Sequence, residues 1–227
     1  MTGILFDFNG VLFQDSEFHE QAWAEFTTRN TNTELSNTAI NSFFHGRQNR
    51  SALEFLFKRT LSEQDIMRYS EEKESIYRDI CLSNPDQLIL SDGAIDFIET
   101  LKSRDLHFTI VTSSCLSNVE FYFNVLKLDQ WFSKEIIVYD DGTITGKPAP
   151  DSFIEGARRI AKPISQCIVF EDSTSGIVAA RLAGAQKIVG YATAHNHATL
   201  VENGAHIVVE SFKDEAVLNL LPTIMAI

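Results

Sequence analysis

Four polar segments of this sequence carry residue types that can do chemistry, and each comes after an apolar run in the chain. The first offers a carboxylate and an amide, the second consecutive hydroxyls, the third a lysine between glycine and proline, and the fourth two adjacent acids. In chain order they are Asp7-Phe8-Asn9-Gly10, Thr112-Ser113-Ser114, Gly146-Lys147-Pro148 and Glu171-Asp172-Ser173. Together these groups predict a site for a divalent metal ion and an anionic ligand.

Each segment has a physical reason to take part in such a site. Asp7 lies within an apolar run and needs a metal, a cation or hydrogen bonds, because uncompensated burial of a carboxylate is costly. Glu171 and Asp172 repel each other unless a cation is present, which favours a hard metal such as Mg²⁺. Lys147, held between glycine and proline, suits a point-charge contact to phosphate. Hydroxyls at 112–114 and the N–H groups of a following helix also bind phosphate.

Purely structural explanations compete with these interpretations. The pair Asn9-Gly10 between apolar residues is typical of a type I′ turn, so the first run could be half of a β-hairpin. The hydroxyls at 112–114 could cap the next helix, and Asp172 or Ser173 could do the same after the fourth run. Lysines, histidines and tryptophans in the segment from 16 to 85 are more often packing or surface residues than catalytic ones.

Strand-like and helix-like segments alternate through most of the chain, which predicts an α/β fold with a Rossmann-like parallel sheet and helices on both faces. The predicted strands are 4–8, 107–112, 135–139, 167–170, 187–191 and 206–209, and the predicted helices between them are 93–103, 117–127, 150–161 and 175–183. In such sheets, ligands bind beyond the carboxyl ends of the strands, where the four polar segments fall. The stretch His195-Asn196-His197 lacks a supporting cysteine or acid and is interpreted as a loop.

A helical block interrupts this alternation after the first strand. Apolar residues recur at helical spacing in 16–30, and the stretches 51–61 and 62–80 also have helical patterns. We therefore predict that residues 1–14 and 88–227 form an α/β core and that residues 15–87 form an inserted helical cap.

Composition and charge narrow the functional classes. The 227 residues carry 19 basic and 31 acidic side chains, a net charge of −12, which argues against nucleic acid as a partner. No apolar run is long enough to span a membrane, and the first residues lack the basic region of a secretion signal. The three cysteines, Cys81, Cys115 and Cys167, are widely spaced, which favours reduced thiols. We expect a cytoplasmic protein, a monomer or weak dimer, that binds a small molecule.

The four segments resemble the four motifs of the haloacid-dehalogenase-like (HAD) superfamily. The matching stretches are Asp-Phe-Asn-Gly-Val at 7–11, the strand that ends in Thr112, Lys147 in GKPAPD, and FEDSTSGI at 170–177. The stretch DFNGVLFQDSEFHEQAW resembles the β-phosphoglucomutase-like subgroup, in which a helical cap follows the first motif. HGRQNRSAL at 45–53 is similar to the cap loop of that subgroup.

The resemblance implies a role for each residue. Asp7 would attack phosphorus and form an aspartyl-phosphate. Mg²⁺ would be held by Asp7, the main-chain carbonyl of Asn9, Asp172 and, in or near its coordination shell, Glu171. Thr112 and the main-chain N–H of Ser113 would hold the phosphoryl oxygens, and Lys147 would balance charge. The further residues predicted to contact the substrate or its phosphate are Gly10, Ser114, His19, Arg47, Arg50 and Lys73.

One residue departs from the family pattern. Phosphatases and mutases of the family usually carry a second aspartate two residues after the nucleophile as general acid and base, whereas this chain has Asn9. An amide cannot exchange the proton, and loss of acid–base help typically lowers a rate by ~10²–10⁴. Four explanations stay open: an engineered change; a natural residue, with undemanding leaving groups or a substitute acid such as Glu17 or His19; deamidation of Asn9-Gly10; or phosphate binding without turnover.

The leading functional hypothesis is a Mg²⁺-dependent phosphohydrolase of a small phosphorylated metabolite, impaired by Asn9. Two alternatives are a β-phosphoglucomutase-like isomerase and a catalytically weak phosphate-binding or regulatory protein. Hydrolysis is favoured over isomerisation, because Arg47 and Arg50 are the only cations of the 45–53 stretch. Dehalogenation is disfavoured, because that branch needs no Mg²⁺ whereas Glu171-Asp172 resembles a metal shell.

Overall fold

A computed structural model describes residues 2–31, 44, 47–192 and 196–220. Its sheet has six strands, all parallel, in the order β3-β2-β1-β4-β5-β6. The strands are β1 (Gly3–Phe6), β2 (Phe108–Cys115), β3 (Val138–Asp140), β4 (Cys167–Glu171), β5 (Lys187–Tyr191) and β6 (Ile207–Val209). The prediction of a Rossmann-like α/β fold is confirmed.

Helices cover both faces of the sheet, because side chains alternate across each strand. Leu5 packs into one apolar cluster, with helices α6 (Asp151–Arg159), α7 (Thr174–Ala183) and α8 (His197–Asn203). Ile4 and Phe6 pack into the other, with α4 (Ala94–Ser103), α5 (Leu116–Leu126) and α9 (Glu215–Leu218). Among the described residues, no helix combines the length and apolar character needed to cross a bilayer.

The chain between β1 and β2 contributes three further helices within its described residues: α1 (Ser16–Asn30), α2 (Asn49–Phe57) and α3 (Glu63–Ser83). We call these three the inserted helices. The prediction of α1 matches its observed bounds, and α2 and α3 begin and end within a few residues of the predicted ones. Trp23 and Phe26 of α1 are buried, as their spacing predicts.

Two polar links join the inserted helices to the sheet and its helices. The carboxamide of Asn118 on α5 donates to Glu74 at 2.6 Å and accepts from Arg78 at 2.9 Å, both on α3. Gln48, which precedes α2, donates to Asp140 at the end of β3 at 2.8 Å. These links hold the inserted helices over the carboxyl ends of β2 and β3.

Two of the structural explanations offered by the sequence are wrong, and a third is confirmed for one of its two residues. β1 pairs only with β2 and β4 among the described strands, both parallel, so Asn9-Gly10 does not close a β-hairpin. β2 runs on to Cys115 before α5 begins, so the hydroxyls at 112–114 are strand residues and not caps. Ser173, and not Asp172, caps α7 by accepting from the main-chain N–H of Gly176.

The loop predicted at 195–197 also needs correction. His197 begins helix α8, and Asn196 precedes it and donates to the main-chain oxygen of Asp172 at 3.2 Å. Leu200 of this helix is buried, so a single apolar anchor holds a helix too short to show a clear period. His195 lies outside the described residues.

A cluster of phenylalanines forms part of the core between the sheet and helix α4. The rings of Phe6, Phe97, Phe170 and Phe212 lie 5.2–6.2 Å apart between centroids in edge and tilted contacts. Phe6 and Phe170 sit on adjacent strands, each directly before a site carboxylate. The cluster therefore fixes the level at which β1 and β4 end.

Truncating Phe97 to alanine should lower the free energy of unfolding by about 3–5 kcal/mol, because it leaves a cavity in this cluster. Ile95→Ala on the same helix is the control, since Ile95 is exposed and should cost less than about 1 kcal/mol. Urea denaturation of both variants measures the difference. Equal losses would contradict the role of the phenylalanine cluster.

Candidate active site

A buried ammonium lies between two buried carboxylates at the carboxyl edge of the sheet. Lys147 is 4% exposed and donates to Asp7 and, at 2.7 Å, to Glu171 Oε2. Asp7 follows β1, Glu171 ends β4, and Lys147 comes from the loop after β3. Three segments that are more than a hundred residues apart at their extremes therefore meet at one lysine.

Burial and charge oppose each other in this cluster. Burial and the nearby Glu171 carboxylate raise the pKa of Asp7 to about 8, although Lys147 works to lower it. For Lys147, burial would lower the pKa, but the charges of Asp7 and Glu171 outweigh burial and raise it. The lysine therefore stays charged, and the carboxyl of Asp7 needs further positive charge to ionise fully.

A divalent cation fits this deficit. Ligand atoms of Asp7, Glu171 and Asp172 lie within 4.8 Å of one another, an all-oxygen donor set of the kind that Mg²⁺ prefers. Burial and the charges of Glu171 and Asp7 raise the pKa of Asp172 well above its ordinary value. Glu171 already accepts hydrogen bonds from Ser173 N–H at 3.0 Å and from Lys147. Asp7 and Asp172 are therefore better placed than Glu171 to be ligands of the cation.

Gly10 lets the chain pass close to this acidic cluster. Its φ of +77° lies in the region that favours glycine, and a Cβ there would lie 2.0 Å from Asp172 Oδ2. A side chain at position 10 would therefore collide with a proposed metal ligand.

The hydroxyl residues of β2 face the carboxylates across the sheet edge. The pairing of β2 with β3 shifts its register between Val111 and Cys115, an irregularity of the kind that redirects side chains. The main-chain N–H of Ser114 donates to Thr112 Oγ1 at 3.1 Å. The Ser114 hydroxyl donates to Asn9 Oδ1 at 2.8 Å, which ties the end of β2 to the loop after β1.

Asp15 is a functional candidate that the sequence analysis missed. It directly precedes α1, yet its side chain makes no capping hydrogen bond. Its fully buried carboxylate instead accepts from Asn9 Nδ2 at 2.6 Å, from the Tyr77 hydroxyl, and from Gly10 N–H at 3.3 Å. Burial raises the pKa of Asp15 to about 6, and the donors from Tyr77 and Asn9 oppose this rise. The signal in the sequence that could have indicated this contact is the presence of an aspartate six residues after Asn9.

A cavity of about 70 Å³ separates the sheet edge from the inserted helices. Its lining residues on the sheet side are Asp7, Asn9, Thr112, Ser113, Ser114 and Asp172, and those on the other side are Ser16, His19, Glu20, Trp23, Phe44, Arg47, Asn49, Lys73 and Glu74. The two sides differ in character, since the first offers carboxylates and hydroxyls and the second mixes cations, acids and aromatic rings.

Polar contacts order the inserted side of the cavity. The ring of His19 stacks on Tyr77 with centroids 3.9 Å apart, and its Nδ1 lies 3.2 Å from Lys73 Nζ. Lys73 also pairs with Glu74 at 2.6 Å, and both are almost completely buried. Burial alone would raise the pKa of Glu74, but the charges of Lys73 and His19 lower it to about 2. Glu74 is therefore ionised at neutral pH.

Comparison with known proteins identifies the family to which the chain belongs. A family model described as haloacid dehalogenase-like hydrolase matches residues 1–184. The chain belongs to the haloacid dehalogenase-like hydrolase family. A crystal structure of a HAD hydrolase of family IA, variant 3, from Entamoeba histolytica is 35% identical, with a TM-score of 0.86 and 100% of both chains covered.

Curated relatives of this HAD chain include enzymes of two activities. The phosphorylated carbohydrates phosphatase of Thermotoga maritima is 26% identical over 234 residues, covering 99% of this chain and 100% of the relative. The beta-phosphoglucomutase of Mycobacterium tuberculosis is 23% identical over 233 residues, covering 90% of this chain and 87% of the relative. The resemblance to the HAD superfamily and its β-phosphoglucomutase-like subgroup is thereby confirmed.

Four predicted site residues of this HAD chain do not line the cavity. Lys147 and Glu171 belong to the buried cluster with Asp7, and Gly10 passes close to Asp172, whereas Arg50 lies away from the site.

Arg50 is exposed, and its guanidinium pairs with Glu63 at 2.5 Å instead of lining the cavity. Arg50 lies in the first turn of α2, and Glu63 is the first residue of α3, the next helix along the chain. This local ion pair holds Arg50 at the surface. Glu17, one of the suggested substitute acids, is also exposed and does not line the cavity, whereas Arg47, Lys73 and His19 do.

The raised pKa of Asp7 predicts how the metal-free protein responds to pH. Between its ordinary value of 3.8 and about 8, the folded state holds a proton that the unfolded chain has lost. The free energy of unfolding should therefore fall as the pH rises through this window. Thermal unfolding in EDTA at a series of pH values measures the effect. Asp7→Asn should show a smaller fall, and an equal fall in both proteins would contradict the assignment.

Proposed function

We propose that the protein is a Mg²⁺-dependent phosphohydrolase that acts on a small phosphorylated metabolite through an aspartyl-phosphate on Asp7. The observation that carries this proposal is the contact of Lys147 with both Asp7 and Glu171 at the edge of a cavity lined by Asp172 and the β2 hydroxyls. Membership of the HAD hydrolases supports the reaction class, and the phosphatase from Thermotoga maritima supports a phosphorylated substrate.

The residues divide the work of phosphoryl transfer between attack and charge balance. Asp7 supplies the nucleophilic oxygen, and Lys147 orients that carboxylate and balances negative charge as the phosphoryl group approaches. Thr112 and the main-chain N–H of Ser113 are placed at the cavity wall to hold phosphoryl oxygens. Asp7, Asp172 and the main-chain carbonyl of Asn9 would hold Mg²⁺, with Glu171 in or near its coordination shell, and the ion would neutralise charge between carboxylate and phosphate.

The inserted side of the cavity favours hydrolysis over isomerisation. A mutase must accommodate a second phosphate, which needs uncompensated positive charge on that side. Lys73 and Arg47 both line this side, but Lys73 is already neutralised by Glu74 at 2.6 Å, and the lining also includes the acid Glu20. Arg50 is turned away to Glu63. The inserted helices lie between β1 and β2 in the chain and line the side of the cavity opposite the sheet edge, which supports a division into a cap domain (15–87) and a catalytic core (1–14 and 88–227).

We also propose a reducing, cytoplasmic location and a monomer or weak dimer. Cys81, Cys115 and Cys167 are all free thiols, and burial raises the pKa of each. Inert, protonated thiols of this kind support a protein that does not use disulfides.

Asp7→Asn should abolish covalent phosphorylation, because an amide cannot form the acyl phosphate bond of the proposed intermediate. The measurement is acid-quenched labelling with a radioactive phosphoryl donor in Mg²⁺, followed by digestion and mapping of the labelled peptide. Asp79→Asn is the matched control, since Asp79 is exposed on α3 and should leave labelling unchanged. Label that persists in Asp7→Asn would overturn the nucleophile assignment.

Mg²⁺ should raise the midpoint of thermal unfolding, because a ligand that binds only the folded state stabilises it. Asp172→Asn removes a charged ligand and should reduce this rise, whereas Asp129→Asn, an exposed change after α5, should retain it. Scanning calorimetry over a Mg²⁺ titration measures the three proteins. A full response in Asp172→Asn would show that the metal lies elsewhere.

A further inference from the structure

The side chain of Asn9 has a partner for each hydrogen-bonding position that a carboxamide offers. Its Oδ1 accepts from the hydroxyls of Ser114 and Thr112 at 2.8 and 3.3 Å. Its Nδ2 donates to Asp15 Oδ2 at 2.6 Å and to the hydroxyl oxygen of Tyr122 at 2.9 Å. A carboxylate here would keep the accepted bonds and lose both donated ones. The surroundings therefore fit an amide.

Asp15 decides which way this amide points. The carboxylate receives hydrogen bonds from Asn9, the Tyr77 hydroxyl and Gly10 N–H, and His19 Nε2 lies 3.5 Å away. An ionised carboxylate only accepts, so it selects Nδ2 of the amide and turns Oδ1 towards the hydroxyls of β2. The Asn9 nitrogen is thereby used up and cannot donate to a ligand in the cavity.

An aspartate at position 9 would not fit beside Asp15 as the site stands. The carboxylates of residues 9 and 15 would then face each other across the distance that a 2.6 Å hydrogen bond now spans, and the side chain of Asp15 is fully buried. Like charges in such a place force one group to take up a proton or to move away. Asn9 and Asp15 are thus complementary as a pair.

We propose that Asp15 is the positioning residue that orients the Asn9 amide and disfavours an aspartate at position 9. Because an amide supplies no proton to a leaving group, the protein accordingly acts on acyl phosphates, whose leaving group departs without a proton. This inference rests on the proposed function, because it takes Asp7 as the nucleophile. It treats Asn9 as a fitted part of the site and not as damage to an acid–base residue.

The chemistry balances without a general acid in the first step. An oxygen of Asp7 forms a bond to phosphorus while the bond from phosphorus to the acyl oxygen breaks, and the electron pair leaves on a carboxylate. Carboxylic acids have pKa values of about 4, so that product is stable unprotonated, whereas an alkoxide is not. In the second step water bonds to phosphorus, the electron pair returns to Asp7, and the proton of the water passes to the released phosphate. Asn9 cannot act as a base in that step, so the phosphoenzyme should accumulate.

The test compares four proteins: the wild type, Asn9→Asp, Asp15→Asn, and the double exchange Asn9→Asp with Asp15→Asn. The exchange keeps one carboxylate and one amide but reverses their positions, so that the new aspartate accepts from the new asparagine. Asp15→Asn alone is the matched control, because it removes the charge at 15 and leaves the amide at 9. Each protein is studied by thermal unfolding and by turnover of acetyl phosphate and ethyl phosphate, which are similar in size, with Mg²⁺.

We expect Asn9→Asp to lower the unfolding midpoint and the double exchange to recover most of that loss. In the wild type, acetyl phosphate should be cleaved and should yield protein one phosphoryl group heavier in intact mass, while ethyl phosphate turnover should be at least ~10²-fold slower. The double exchange should narrow this gap by ~10²–10⁴, because an acid then faces the leaving oxygen. Asp15→Asn should keep the wild-type gap because it adds no acid at position 9, so a narrower gap in the double exchange would come from the new aspartate and not from loss of the charge at 15.

Two results would overturn the inference. Asn9→Asp as stable as the wild type, with no gain from the double exchange, would show that Asp15 does not select an amide. Ethyl phosphate cleaved by the wild type as readily as acetyl phosphate would remove the substrate class and leave the proposed function standing. If no variant cleaved or was labelled by either compound, the proposed function would fail together with the substrate class. The unfolding data would still decide the pairing of Asn9 with Asp15.

Discussion

The electrostatic balance around Lys147 is the constraint on which the rest of the site depends. A buried ammonium can stay charged only where anionic partners compensate its burial, and Asp7 and Glu171 do so from two neighbouring strands. With Asp172 nearby, acids outnumber the lysine, and burial together with the charge of Glu171 raises the pKa of Asp7. The site is therefore incomplete in charge, which is the physical basis for a bound cation.

The parallel sheet makes this balance achievable. Because β1 and β4 are adjacent and in register, with Phe6 beside Phe170, the residues that follow both strands emerge at the same level. The phenylalanine cluster beneath them keeps that level fixed, and Gly10 allows the chain to leave β1 without colliding with Asp172. Packing of the core thus sets the spacing of the carboxylates above it.

The sequence predicted the positions of the strands well because apolar runs, punctuated by polar residues, mark buried strands, but β2 continues to Cys115, past its predicted end at Thr112. It did not predict Asp15 as a partner of Asn9, since an aspartate before a helix is equally typical of a cap and only the fold shows that the cap is not made. Tyr122 lies 113 residues from Asn9 and its contact left no local signal. The sequence placed Arg50 in the site wrongly, because nothing in the local sequence shows where an arginine side chain points. In the structure it forms an ion pair with Glu63.

The short stretch from Asp7 to Asp15 joins the end of β1 to the first of the inserted helices, and its length is fixed at both ends. Asp7 is tied to Lys147, and Asp15 reaches back to Asn9 and Gly10 within the same stretch. One residue added or removed there would move the carboxylate of Asp15 out of register with its amide partner. The turn at Gly142, by contrast, is exposed and has open space around it, so it is where this chain can tolerate a peptide tag or a change of loop length.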